Sequence, residues 1–235
     1  MPLVNPGAEP PTLSIVIPML NEAAGIEAAL TPLQPLRETG VEIIVVDGGS
    51  QDSSIQIATP LADRVLSSTP GRARQMNLGA EHARSSALLF LHADTRLPEG
   101  AINLITQALK TNAWGRFDIH LEGKSRWLPI VSRMMNLRSR LSGIATGDQG
   151  MFLRRETFDA VGGFPDQPLM EDIALSKRLK ALSSPACLRT KVISSGRRWD
   201  QFGAWRTIRL MWRLRYRYWR GVSATQLAKE YRNAR

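Results

Sequence analysis

Three carboxylates, Glu22, Asp47 and Asp94, each stand just past a run of apolar residues that reads as a β-strand. Carboxylates delivered to one edge of a sheet repel one another unless a cation or the hydrogen-bond donors of a ligand compensate them. Taken singly, Asp47 before Gly48-Gly49 also fits a turn former, and Asp94 a helix cap. Other chemistries lack their residues. No G-x-G-x-x-G follows the first strand, no Walker-type G-x-x-x-x-G-K is present, and no Cys/His cluster has zinc spacing. His82, His92 and His120 are too scattered to suggest a triad or a metal site by spacing.

The elements that must position these carboxylates alternate. Leu13 to Ile17 reads as a buried strand closed by Pro18, with a helix over Glu22 to Leu30. Val41 to Val46 is a second strand, ending in the turn Asp47-Gly48-Gly49-Ser50 ahead of an Asp52-led helical segment. A third strand near Arg64 to Leu66, a helix over Arg72 to Arg84 and a fourth strand at Ala87 to Leu91 follow. This pattern predicts an α/β fold: a single, mostly parallel, Rossmann-like sheet flanked by helices, with ligands beyond the carboxyl ends of the strands. The second half is less regular. Strands are expected at Phe117 to Leu121, Met151 to Leu153 and Leu188 to Ile193, and helices at Pro129 to Leu141, Thr157 to Val161 and Glu171 to Leu182. Residues 202–220 read as a long, basic, amphipathic helix.

The chain has 235 residues, 43% of them hydrophobic, enough for one generous domain with a real core. A Pro-rich leader, residues 1–11, precedes a domain over 12–201, with 202–235 as a helical tail of the same domain; the donor half of the domain reaches to about residue 100. The formal charge is +10. Residues 1–100 hold 6 basic and 11 acidic side chains, residues 101–150 hold 7 and 3, and residues 151–235 hold 18 and 7. The basic excess therefore lies in the C-terminal part. A balance of this size concerns partners and solubility, not fold. The lone Cys187 cannot form an intrachain disulfide, and the opening residues lack a secretory signal, so a cytoplasmic location is expected. No apolar stretch approaches the roughly 20 residues needed to span a bilayer, so membrane contact is expected to be peripheral, on the inner face.

With these residues in place, the chain resembles the family 2 inverting glycosyltransferases of the GT-A fold, of the small bacterial kind without transmembrane helices. The resemblance runs over most of the chain. Ser14-Ile15-Val16-Ile17-Pro18-Met19-Leu20-Asn21-Glu22 is similar to the opening strand and P-x-x-N-E segment, and Ile44-Val45-Val46-Asp47-Gly48-Gly49-Ser50-Gln51-Asp52 to the V-D-G-S-x-D segment. Gly71 to Gly79 resembles the helix start, and Leu91-His92-Ala93-Asp94 takes the place of the D-x-D motif. Val161-Gly162-Gly163-Phe164 followed by Glu171-Asp172 resembles the acceptor-side signature.

The resemblance implies roles. Pro18, Glu22, Asp47, Arg72, Asp94 and Arg198 would bind a nucleotide-sugar donor, a UDP-sugar foremost. Asp47 would take the base, Glu22 the ribose, and Arg72 or its rival Arg74 the diphosphate. Asp94 would hold Mn²⁺ or Mg²⁺, with His92, which replaces the first Asp of D-x-D, as a second candidate ligand. Asp172 would be the general base, with Gln149, Glu171 and Trp199 on the acceptor side; for Glu171 and Asp172, charge supplied to a helix start is the alternative. Arg197-Arg198-Trp199 resembles the end of the Q-x-x-R-W motif of processive synthases, but Ser195 stands where Gln would be. Single-sugar transfer to a hydroxyl or carboxylate acceptor, lipid or carotenoid-like, is therefore expected. A sugar-phosphate nucleotidyltransferase and a basic nucleic-acid-binding module are the rival classes.

The basic helix bears on the acceptor. At 100° per residue, Arg206, Arg209, Arg213, Arg217 and Arg220 share a stripe about 80° wide beside Trp205, Ile208, Met211, Trp212, Tyr216 and Trp219; only Arg215 breaks the segregation. This is the composition of a helix lying on an anionic membrane through residues 205–220. The aromatic face packing on the domain is the alternative, and nucleic acid is disfavoured.

Overall fold

The computed structural model describes residues 11–234, so the leader lies outside the described residues except for Pro11. The first half runs β1 (Leu13–Met19), α1 (Ile26–Leu30), α2 (Gln34–Glu38), β2 (Val41–Asp47), α3 (Ser54–Ala58), β3 (Arg64–Ser67), α4 (Arg72–His82) and β4 (Ala87–Phe90). Next come β5 (Thr95–Arg96), α5 (Ala101–Thr111), β6 (Trp114–Glu122), α6 (Leu128–Ser142), β7 (Met151–Arg154) and α7 (Arg155–Ala160). The chain then continues through α8 (Glu171–Leu182), β8 (Ala186–Ser195), α9 (Arg197–Phe202), α10 (Ala204–Trp219) and α11 (Ala224–Asn233).

Period-two alternation explains the buried strands, whose side chains divide between two cores. Leu13, Ile15, Ile17 and Met19 join Ile43, Val45 and Leu89 in one, and Val16 joins Ile44, Val46, Leu88 and Phe90 in the other. Burial on both sides is what a sheet covered by helices requires. Gly79 lets α4 close on the sheet, since a Cβ there would lie 2.3 Å from Val16 Cγ1.

The strand order is β3-β2-β1-β4-β7-β6-β8-β5. β1 pairs in parallel with β2 and β4, and β2 with β3, so the first half of the sheet, β1 to β4, is wholly parallel. β7 then enters antiparallel between β4 and β6, and β6 and β8 are parallel. β5 leaves the chain just after β4 yet pairs antiparallel with β8. That return curls the mixed sheet and carries residues 91–96 across the ends of the strands between.

Several expected boundaries move for local reasons. Pro18 stays inside β1, pairing with Val46, because β4 has already ended opposite Val16. The helix expected from Glu22 begins only at Ile26. Residues 21–23 are instead laced to the loop after β2: the Asn21, Glu22 and Ala23 amides donate to Ser50 Oγ, Ser54 Oγ and Asp52 Oδ2, and Asn21 Oδ1 accepts from the Gln51 amide. Asn21 adopts φ 53°, which its short side chain tolerates. The basic helix expected over 202–220 is α10, and the short α9 precedes it, separated at Gly203 with φ 80°.

Two packing devices position the acceptor side. In α6, Asn136 Oδ1 accepts from the Ile119 amide and its Nδ2 donates to the Ile119 carbonyl, while Ser132 Oγ accepts from the Leu121 amide, so the helix satisfies β6 backbone as a neighbouring strand would. α10 and α11 are held by a small core in which Leu214 and Leu227 meet Met170 and Ile173 at the start of α8. Among the described residues, no helix is long and apolar enough to cross a membrane.

Candidate active site

A groove of about 1870 Å³ lies beyond the carboxyl ends of β1 and β4, walled by α6, α9 and α10. Pro18, Glu22, Arg72, Asp94, Glu171, Asp172, Arg198 and Trp199 line it, so most of the residues singled out in the sequence converge there. Asp47 and Gln149 do not.

Asp47 is buried at the end of β2, and its Oδ2 accepts from the Gly49 and Ser50 amides. It builds the Asp-Gly-Gly-Ser turn. Gln75 Nε2 bonds the Met19 and Val46 carbonyls and fixes that turn against the end of β1. Gln149 is fully buried and forms a reciprocal cap with Thr146, holding the 146–150 loop in shape.

On the donor side, Glu22 lies 3.6 Å from Arg197. Burial pushes its carboxyl up, with the nearby Asp94 charge adding and Arg197 opposing. Arg72 opens α4 after Gly71, whose φ of 146° turns the chain, and sits 3.5 Å from Glu171. Its rival Arg74 does not line the groove and is bound to Asp166 at 2.8 Å. Asp94 is exposed, with only a long 3.4 Å contact from Thr95 Oγ1. His92 Nε2 is shielded from solvent without a hydrogen-bond partner, and a Cβ on Gly147 would stand 2.4 Å from it. Burial, with Arg72 and Arg198 adding, drives its pKa far down, so the ring is neutral.

These donors fit one mode of metal binding. Among the described residues, no three His, Cys, Asp or Glu side chains gather as a cage. The open Asp94 carboxylate suits a hard cation that takes the rest of its shell from substrate phosphates and water. His92 also lines the groove, but its Nε2 is sealed against the 147 backbone.

On the acceptor side, Met170 adopts φ 64° and turns the chain into α8. Asp172 Oδ1 accepts from the Ile173 amide at 2.7 Å and Oδ2 from the Gly147 amide at 2.9 Å, which aims the carboxylate at the groove from a helix start. Glu171 is buried, and burial first, then the charge of Asp172, pushes its carboxyl up. Arg198 stacks over the Tyr231 ring at 5.1 Å, and Trp199 packs on the main core while lining the groove.

Sequence reasoning missed three charged groups that also line the groove: Arg138 of α6, Asp148 and Arg215 of α10. Burial pushes the Asp148 carboxyl up and lowers the Arg138 guanidinium to about 10. The signal for Arg215 was its place among apolar positions of an otherwise segregated helix.

The aromatic face of α10 packs only in part, with Trp205 edge-on to Trp127 at 5.2 Å and Ile208 and Met211 against the cores. The helix is buried through Ala204, Thr207 and Leu214, while Trp212 and Trp219 are 67% and 69% exposed. The arginine stripe is partly engaged within the protein: Arg213 and Arg217 both pair with Glu230 of α11, and Arg206 reaches the Ala234 carbonyl. Arg209 makes no ion pair among the described residues.

A helix-covered sheet that turns from parallel to mixed and gathers carboxylates at its strand ends defines the GT-A class of architecture. Residues 14–162 match the family described as Glycosyl transferase family 2, and the chain belongs to that family. Curated relatives include an undecaprenyl-phosphate 4-deoxy-4-formamido-L-arabinose transferase of Pseudomonas aeruginosa, 29% identical over 60% of this chain and 46% of its own length. A PGL/p-HBAD biosynthesis glycosyltransferase of Mycobacterium bovis is 36% identical over 38% of each chain. The chain spans about half or less of the length of these relatives. Among solved structures, a Pyrobaculum calidifontis mannosyltransferase in complex with GDP-Man and Mn²⁺ aligns with a TM-score of 0.64 at 20% identity, covering 86% of this chain and 61% of that one. S. aureus TarS aligns with a TM-score of 0.63 at 17% identity, covering 84% and 64%.

Proposed function

We propose that the protein moves one sugar, with inversion, from a nucleotide-sugar donor to a hydroxyl or carboxylate acceptor carried on a lipid-like molecule. The observation that supports this most is the single groove on which Glu22, Arg72, Asp94 and Asp172 all open. Glu22 accepts hydrogen bonds from the ribose, and Arg72 and Arg198 meet the diphosphate. Asp47 acts through the turn it builds. Mn²⁺ or Mg²⁺ held by Asp94 would neutralise charge on the diphosphate, making a separate acid unnecessary. Asp172 takes the proton of the acceptor oxygen as that oxygen attacks the anomeric carbon opposite the leaving group.

The lipid-like acceptor has two supports. One relative's name specifies undecaprenyl phosphate. Independently, eight of the ten exposed large hydrophobic side chains among the described residues lie on α6 and α10. Ile130, Met134, Leu137 and Leu141 form a single row on α6, and Trp205, Trp212, Tyr216 and Trp219 a row on α10. Beside arginines, such rows suit peripheral docking to the anionic inner face of a membrane.

Incubation with UDP-, GDP- and dTDP-sugars plus Mn²⁺ tests the reading, and slow release of nucleoside diphosphate is expected. Pyrophosphate released from a nucleoside triphosphate and a sugar phosphate would replace it with the nucleotidyltransferase.

A further inference from the structure

Arginines of this protein mostly find acceptors. Arg72 faces Glu171, Arg140 binds both oxygens of Asp118, and Arg155 donates to three carbonyls. Arg138 and Arg215 are different. Both line the groove, yet neither guanidinium makes a hydrogen bond or ion pair among the described residues. The Nε and Nη2 of Arg138 are out of solvent with no acceptor at all. Asp148 and Asp172 act on both arginines only through space, and each Asp172 oxygen accepts a single amide bond, from Gly147 and Ile173.

A guanidinium with two nitrogens out of water and without an acceptor, set beside a second guanidinium that repels it, is costly to fold. An anion seated against them removes that cost through charge-assisted hydrogen bonds. The groove continues from these arginines between α6 and α10, where Met134, Leu137, Trp205 and Trp212 supply an apolar lining. One cavity therefore holds a charged end, where Arg138 and Arg215 stand beside Asp148 and Asp172 with hydrogen-bond donors to spare, and an apolar end at the protein surface.

Resting on the glycosyl-transfer reading, we infer that the acceptor is an amphiphile. Its anionic head, a phosphate or a carboxylate near the attacking oxygen, seats against Arg138 and Arg215. Its apolar chain lies between α6 and α10. A free anion of the same headgroup lacks the second contact, and a neutral lipid alcohol lacks the first.

The test is equilibrium binding to the full chain, followed by the fluorescence of the groove tryptophans, with submicellar dodecyl phosphate, dodecanol and inorganic phosphate as probes. Dodecyl phosphate is expected to bind at least about tenfold more tightly than either of the others. Arg138→Gln and Arg215→Gln should each bring the ratio of dodecyl phosphate to dodecanol towards one, while Lys110→Gln, exposed in the last turn of α5 and outside the groove, leaves it unchanged. Leu137→Ser should weaken dodecyl phosphate and dodecanol alike. Should a glutamine variant fail to fold, Arg215→Lys is expected to keep a preference for the phosphate. Equal binding of dodecanol and dodecyl phosphate by the unmodified protein would overturn the head assignment. Inorganic phosphate binding as tightly as dodecyl phosphate would overturn the amphiphile in favour of a free anion, and glutamine variants that fold and keep the full ratio would reduce the two arginines to structural charges. Release of nucleoside diphosphate from the donor, measured on the same samples, reports the donor reading separately.

Discussion

The donor and acceptor halves of the groove are built on opposite terms. On the donor side the sheet is parallel, the loops after β1 and β2 are laced by side-chain hydrogen bonds, and Asp47 and Gln75 spend their polar atoms on backbone. On the acceptor side, helices supply the walls, two arginines lack partners, and apolar rows face outward. A satisfied polar network gives a fixed shape, whereas unsatisfied charge and exposed apolar surface hold recognition energy in reserve. The first suits a ligand that is always the same, and the second a ligand brought by a different phase.

The largest expected separation of the halves is catalytic. Asp172→Asn should lower transfer by about 10²–10⁴-fold, a usual range for a lost general base, while nucleotide binding measured by calorimetry stays as it was. Asp94→Ala should do the converse, weakening Mn²⁺-dependent nucleotide binding by about 10–100-fold on the donor side. Retained affinity in that variant would remove Asp94 as the metal site. Gly79→Ala forces a methyl onto Val16 and should cost about 1–3 kcal/mol in urea unfolding, showing how little slack the parallel half has. Arg209→Gln should weaken binding to anionic vesicles by about fivefold, near 1 kcal/mol per surface arginine, and leave neutral vesicles unaffected in a flotation assay.

The smallest effect is a pH dependence. Because burial raises the folded-state pKa of Asp148 above its unfolded value, its stabilising contribution is complete below the unfolded pKa, near 4, and is lost as pH rises through the folded one. Asp148→Asn should therefore gain stability relative to the unmodified chain between about pH 4 and pH 7. Parallel stability curves would show that the carboxyl is not displaced from its ordinary range.

How much of this could be read from the residues alone follows the same division. Strands β1, β2 and β4 announce themselves because period two, β-branching and a turn agree, and the segments after β1 and β4 bring Glu22 and Asp94 to one groove. Asp47 and Gln149 illustrate the limit: a polar residue in the right motif can be consumed by backbone, and only three-dimensional accounting shows it. The clasp of Ser132 and Asn136 on β6 and the short strand β5 depend on tertiary partners with no local signature, whereas α5, with Ala101, Ile105 and Leu109 at helical spacing, and α11, capped by Ser223, carry local signals that sequence reasoning missed. Arg215 was visible as an exception to a helical pattern, but its neighbours Arg138 and Asp148 come from distant segments. Nothing in their own surroundings in sequence marks them.

Glu230 gives the arginine stripe a built-in rival. Its carboxylate, 21% exposed, already neutralises Arg213 and Arg217, so an external anion reaching those two must outcompete a tethered one at high local concentration. The stripe is thereby graded along its length: Arg209 and Arg220 respond to dilute negative charge, and Arg213 and Arg217 only to a dense array of it. On the proposed membrane-facing reading, such a helix would discriminate by surface charge density, ignoring scattered anions and engaging where many are presented together.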